Sequence, residues 1–189
     1  MELHGERLIP ASVDVTWAAL NDPQVLKACI AGCESLERTG DDAFSALVAV
    51  KVGPVSARFK GNLKLTNVQA PSSYTINFDG QGGVAGFGKG SADVALTPQG
   101  AQTKLAYSAR AQVGGKLAQI GSRLVDAGAA KIADDFFKAF EAHLQAASGA
   151  PMAAAVPVEA PLATTASTRK LWWAVAAVVV VVLLYFLSR

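Results

Sequence analysis

Two cysteines and two histidines are all that the 189 residues contain. A disulfide framework needs several paired cysteines, so it is excluded, and a thiolate or imidazole metal site has almost no ligands to draw on. Charge is sparse as well: 17% of the residues are charged and the formal net charge is +2, which excludes a polybasic nucleic-acid binder. There is no internal repeat. What the chain has in quantity is apolar residues, 51% of the total, with a mean hydropathy of +0.30. That fraction excludes an intrinsically disordered protein. The hydropathy is high for a soluble domain and low for a polytopic membrane protein.

The excess is local. Leu171 to Leu187 reads LWWAVAAVVVVVLLYFL, 17 residues without a charge. Without it the apolar fraction is roughly 46%, ordinary for a globular domain. Residues 1–144 hold 14 Lys and Arg against 14 Asp and Glu, and the surplus comes from Arg169, Lys170 and Arg189 against Glu159. As a helix the run is about 25 Å long, near the lower limit for crossing a hydrocarbon core of about 30 Å. Trp172 and Trp173 at one end and Tyr185 at the other suit the two interfacial belts, with Arg169, Lys170 and Arg189 placed to snorkel beyond them.

The expectation is a single membrane-spanning anchor. Two cations before it and one after it keep the N-terminal body on the cytoplasmic side of the inner membrane. A core helix or strand is the competing reading, and a stretch carrying Pro151, Pro157 and Pro161 argues against it by separating the run from the body. The N-terminus, MELHGERLIP, has no apolar signal segment. The chain thus divides into a body over residues 1–147, an Ala/Pro/Thr-rich flexible linker over 148–170 with a reach on the order of 30 Å, and the anchor over 171–187.

In the body, a strand over Glu2 to Ile9 precedes Pro10 to Ser12, and Ser12 is placed to cap a short helix through Leu20. Asn21-Asp22-Pro23 ends that helix, Pro23 opens another through Ile30, and Gly32 stops it. From Cys33 to Val113 the pattern has period two, broken at Gly40-Asp41-Asp42, Gly53-Pro54, Ala70-Pro71-Ser72, Gly80 to Gly83 and Pro98-Gln99-Gly100. This predicts about six strands, mostly at hairpin spacing. Tyr74, Ile76 and Phe78 share one face, as do Ala57, Phe59, Gly61, Leu63 and Leu65 opposite Arg58, Lys60, Asn62 and Lys64. Each sheet surface is then wet on one side and covered on the other.

The cover is one long helix over Ile120 to Ala147, in which Leu124, Gly128, Ile132, Phe136, Phe140 and Leu144 recur every four residues. The order strand, two short helices, six strands, long helix is that of an α+β helix-grip fold, a curved antiparallel sheet of about seven strands wrapped on a C-terminal helix. Small residues face one another across it: Ala46, Ala57, Gly61, Ala109 and Ala111 on the sheet, Gly121, Ala127, Gly128 and Ala129 on the helix. Close-packed interiors leave two readings, close approach of sheet and helix or a cavity between them.

Catalytic and nucleotide motifs fail on inspection. Gly83 to Lys89 has the spacing of a phosphate loop, but Gly90 stands where a Ser or Thr must hold magnesium, and strands flank it where a helix should follow. It reads instead as a flexible hairpin or a lip with Phe87 at its tip. Cys29 and Cys33 are separated by the helix-breaking Gly32 and read as buried thiols. His4 and His143 build no triad and no metal pair. Asp134-Asp135 falls on the polar side of the long helix. Lys51, Arg58, Lys60, Lys64, Lys104 and Arg110 form an outward cationic set, a solvated surface or a docking face for an acidic partner or lipid head groups.

Several segments carry a family resemblance: Cys29-Ile30-Ala31-Gly32-Cys33-Glu34-Ser35-Leu36, Phe59-Lys60-Gly61, Gly86-Phe87-Gly88-Lys89-Gly90, Gly114-Gly115-Lys116-Leu117-Ala118-Gln119-Ile120-Gly121-Ser122-Arg123-Leu124 and Phe136-Phe137. Together they resemble the CoxG family of carbon monoxide dehydrogenase, within the START-like, Bet v 1-like (SRPBCC) superfamily, over residues 1–145. Members usually have Pro where Ala31 stands. The resemblance implies an accessory protein, not an enzyme, that brings a molybdenum hydroxylase such as carbon monoxide dehydrogenase to the cytoplasmic membrane. It implies no metal, flavin or iron-sulfur centre in this chain.

Joined to the cavity reading, it predicts that a lipid-soluble quinone, menaquinone or ubiquinone, binds between sheet and helix. Phe59, Ile76, Phe78, Phe87, Leu124 and Gly128 are the expected pocket or mouth residues. A ligand-free tether, and a START-like lipid carrier or cyclase, are the alternatives.

Overall fold

The computed structural model describes residues 1–149. The anchor run, its flanking Arg169, Lys170, Trp172, Trp173, Tyr185 and Arg189, and nearly all of the linker lie outside the described residues. Among the described residues, no helix is long and apolar enough to cross a membrane.

Strand β1 (Glu2–Ile9) leads into helices α1 (Val13–Leu20) and α2 (Pro23–Cys29). Six strands follow: β2 (Cys33–Gly40), β3 (Ala43–Val52), β4 (Val55–Gln69), β5 (Ser73–Gln81), β6 (Phe87–Gln99) and β7 (Gln102–Gly114). A single turn α3 (Lys116–Gln119) and the long helix α4 (Ser122–Gly149) complete the body. All seven strands form one curved antiparallel sheet in the order β1-β7-β6-β5-β4-β3-β2. The six consecutive strands are hairpin neighbours, and only β1 crosses over, pairing with β7. This is the START-like architecture expected from the element order.

Local chemistry sets the boundaries. Ser12 caps α1 by accepting from the Val15 amide, and Asp22 caps α2 by accepting from the Gln24 amide ahead of Pro23 at its first turn. Gly32 turns the chain from α2 into β2 at φ +77°, where a Cβ would lie 2.2 Å from the Ala49 carbonyl oxygen. The same close approach lets the Ala49 amide donate to the Gly32 carbonyl at 2.8 Å. No other residue type combines that conformation with that contact.

The core occupies one end of the cleft between sheet and α4. Phe140 and Leu105 are sealed, and Leu144, Phe44, Leu36, Leu96 and Ile9 are nearly so. Toward the Gly53 hairpin the cover thins: the inward side chains Val48, Val50, Ala57, Phe59, Ile76 and Phe78 are only half-buried. The helix shows the same gradient. Leu144 and Phe140 are buried, whereas Ile132 and Leu124 are 43% and 47% exposed.

The four-residue stripe expected along the whole of α4 therefore holds only in its second half. Four residues turn a helix about 40° past one full circle, so five such steps from Leu144 to Leu124 rotate the stripe about 200°. That exceeds what a twisted sheet can follow, and Val125, one residue on, becomes the buried position instead.

Candidate functional site

Transverse rows of inward side chains build the site. One row runs Tyr74, Val94, Tyr107 and Gly5 across β5, β6, β7 and β1, and the next runs Ile76, Ala92, Ala109 and Leu3. The Tyr107 ring lies over Gly5, where a Cβ would stand 2.7 Å from the phenol oxygen, and it stacks on Phe137 of α4 at 5.2 Å. The aromatic row props the helix away from the sheet. Because Ala92 and Ala109 in the following row are short, and face Ala129 and Ala133 on the helix, the space between stays empty.

The result is a chamber of about 480 Å³, within the range of small-molecule pockets. Aliphatic and aromatic carbon makes up its walls, contributed by all seven strands and by α1, α2 and α4. No lining residue carries a charge. The closed end is formed by the buried residues Leu36, Phe44, Leu65, Tyr74, Val94 and Leu105. The opposite side is bordered by exposed Ala31 and Ile132 and by half-buried Leu3, Ile30, Ala129 and Ala133. Small residues on facing surfaces serve both ends foreseen for them. Ala109 and Ala129 leave room for the chamber, whereas a Cβ at Gly61 would press to 3.0 Å from the Asp79 carbonyl oxygen.

Of the six residues expected at the pocket, Ile76 lines the chamber. Phe59 and Phe78 share its inward face but lie beyond the lining, on the half-covered stretch. The Phe59 ring is taken up by Gly82, where a Cβ would meet it at 2.5 Å, and Phe78 by Gly90, at 2.9 Å. Phe87 points the other way. It is an odd-numbered residue of β6, whose even-numbered Ala92 and Val94 line the chamber, so its ring lies on the convex face across Gly114. Leu124 reaches the Gly53 turn, and a Cβ on Gly128 would touch Val52 at 2.9 Å. Both pack against the β3–β4 hairpin, so a Trp at Gly128 would push on that hairpin and not into the chamber. Ala129 and Ala133 are the helix positions that face the empty space.

Tyr74 escaped notice at the sequence level except as a member of an alternating strand. Its ring is 5% exposed and meets the edge of Trp17 at 5.3 Å. Burial pushes its phenol well above the ordinary range. A tyrosine in a run of inward apolar residues is the available signal, because a phenol buried among carbon brings a hydroxyl that needs a reason to be there.

The remaining polar groups are occupied or on the surface. Asp134 pairs with Arg7, Asp135 with Lys131 at 2.7 Å, and Arg58 with Glu34 at 2.6 Å. Lys104 pairs with Glu6 and Arg110 with Glu2, so only Lys51, Lys60 and Lys64 of the outward cationic set have no ion-pair partner among the described residues. Cys29 is buried and Cys33 half-buried; both are free. Burial pushes both thiols up, opposed at Cys33 by the charge of Lys27. His4 and His143 are exposed at opposite ends of the body's sequence. Among the described residues no group of three His, Cys, Asp or Glu is arranged to hold a metal.

A sequence model of the carbon monoxide dehydrogenase component CoxG matches residues 5–145. The chain belongs to the CoxG family. A conserved protein from Geobacillus kaustophilus is similar to it at 31% identity, covering 78% of this chain and 97% of that one with a TM-score of 0.74. More distant structures share the fold. A START superfamily protein from Mycobacterium smegmatis is 15% identical, covers 77% of this chain and 98% of its own, and has a TM-score of 0.60. The Zhui aromatase/cyclase from Streptomyces sp. R1128 is 13% identical, covers 79% and 96%, and has a TM-score of 0.58. No curated protein matches the chain. The CoxG assignment and the START-like sheet agree with the resemblance read from the sequence.

Proposed function

We propose that this CoxG family member is a membrane-anchored accessory protein. It recruits a molybdenum hydroxylase such as carbon monoxide dehydrogenase to the cytoplasmic membrane and holds a lipid-soluble quinone, ubiquinone or menaquinone, in its chamber. The observation that carries the reading is the chamber: about 480 Å³ of empty space bounded by carbon, with no charge on its walls. Burying an acid or phosphate there would leave it without a counter-charge at a cost of several kcal/mol, whereas a neutral isoprenoid ligand loses nothing on entry. Binding fits the walls better than catalysis, because the two phenols are their only polar side chains and no acid stands beside a base.

The family name points to the enzyme partner, and the apolar run at Leu171 to Leu187 supplies access to the bilayer in which quinones dissolve. Lys51, Lys60 and Lys64, left without partners among the described residues, suit an acidic docking surface on lipid or enzyme.

The test separates carrier from tether. Mildly extracted protein is analysed by solvent extraction and mass spectrometry, and an anchored Ala109→Leu variant is assayed for recruitment of the enzyme and for quinone reduction. A carrier releases isoprenoid quinone, and the filled chamber abolishes quinone reduction while recruitment persists. If no quinone is released, none is taken up on addition, and Ala109→Leu reduces quinone as the unmodified chain does, the protein is a passive tether.

A further inference from the structure

The chamber's polarity is confined to two phenols. The Tyr107 oxygen lies against Gly5 beside the edge strand β1. Tyr74 differs: its side chain is almost wholly withdrawn from solvent, at the closed end of the chamber, and its hydroxyl has no hydrogen-bond partner among the described residues. Nor is that oxygen sealed in carbon. Among the described residues only Thr16 Oγ1 is both unpaired and shut off from water-sized space, so the Tyr74 oxygen borders the chamber that its ring lines. A buried hydroxyl left unpaired costs about 1–3 kcal/mol unless a ligand or ordered water completes it.

Two further observations narrow what completes it. No cation or anion lines the walls, so the matching group is an uncharged acceptor. The only exposed large side chain of the lining is Ile132, at the opposite side from Tyr74, so a long ligand leaves the chamber there.

We infer that the chamber takes an amphiphile head first: Tyr74 donates a hydrogen bond from its hydroxyl to an uncharged carbonyl of the ligand's head, and the hydrocarbon tail runs out past Ile132. This rests on the carrier reading above and fixes the orientation of the ligand within it. Burial keeps the phenol in its protonated, donating form at any physiological pH. The tail, trailing from the mouth, remains in reach of the bilayer while the head is held away from water.

The experiment uses the full chain in phospholipid vesicles, with menaquinone bearing four isoprene units as the probe. Trp172→Phe and Trp173→Phe leave Trp17 as the sole indole, 5.3 Å from the Tyr74 ring. Head-first binding quenches Trp17 fluorescence by contact with the quinone ring and lowers the carbonyl stretching frequency of the bound quinone. In Tyr74→Phe the affinity falls about 5- to 10-fold, the value of one buried hydrogen bond, and the carbonyl band returns to its free position. Quinone binding that leaves Trp17 unquenched, or that keeps its affinity and its carbonyl band in Tyr74→Phe, overturns the head-first orientation while leaving the carrier reading intact. Absence of any quinone binding by the unmodified chain overturns both. Trp17 quenching in the unmodified tyrosine background decides the orientation even where Tyr74→Phe does not fold.

Discussion

The indole of Trp17 meets the phenol ring of Tyr74 edge to face, with centroids 5.3 Å apart and planes at 73°. The contact joins the first helix to the fifth strand and closes the end of the cleft where the core is densest. It is the point at which packing and the chamber meet.

Removing that contact loosens the closed end. Trp17 is half-buried, so Trp17→Ala is expected to destabilise by about 2 to 3 kcal/mol, below the roughly 3 to 5 kcal/mol of a fully buried tryptophan. Thermal melting measures it. A change under about 0.5 kcal/mol, the size of an ordinary surface substitution, would show that the edge contact is incidental.

Tyr74 ties stability to alkaline pH. Its folded-state phenol is raised above the ordinary value of 10.0, so the neutral form is favoured by the fold. That contribution is fully present below about pH 10 and is lost as pH climbs beyond it, because the unfolded chain ionises first. Titration followed by ultraviolet absorbance should show one of the three tyrosines ionising late, together with unfolding, and Tyr74→Phe should remove that late component.

Two glycines one strand-step apart on β6 should respond oppositely. At Gly90 a Cβ would fall 2.0 Å from the Arg110 carbonyl oxygen and 2.8 Å from the Ala111 Cα, so Gly90→Ala forces β6 and β7 apart and costs more than about 2 kcal/mol. At Gly88 nothing lies within 4 Å. Gly88→Ala should be neutral or stabilise by up to about 1 kcal/mol, since the unfolded chain loses freedom. Equal melting temperatures for the two variants would contradict this.

Thr103 is sealed, and its hydroxyl donates to the Ala11 carbonyl at 2.8 Å, fastening β7 to the corner between β1 and α1. Thr103→Val keeps the shape and strands that carbonyl, at a cost of about 1 to 3 kcal/mol. Thr103→Ser, which keeps the donor, should recover part of the loss in a denaturant melt.

Much of the body could be read from the chain because the signals are local. Ser12, Asp22, Pro23 and Gly32 mark helix ends by satisfying or blocking backbone hydrogen bonds, and turn residues divide the alternating stretch into the six strands found. The pocket could not be read as completely. Phe87 and Ile76 look alike in sequence, yet one residue of register puts Phe87 on the convex face across Gly114 and Ile76 inside. Leu124 and Gly128 look like core positions because the four-residue repeat is strong, but the helix rotates them onto the β3–β4 hairpin.

From the sequence by itself come the family, the order of elements, the separation of a charge-neutral body from a 17-residue apolar run, and the scarcity of groups for metal or acid-base chemistry. The tertiary structure alone decided where the empty space lies and what faces it. A chamber exists where Ala92 and Ala109 on neighbouring strands come opposite Ala129 and Ala133 on a helix held off by Tyr107 and Phe137. Those residues are far apart along the chain, and only pairing register and helix rotation bring their side chains into the same volume. The Tyr74 hydroxyl became visible as an unanswered donor for the same reason: hydrogen bonding, like burial, is settled by neighbours in space.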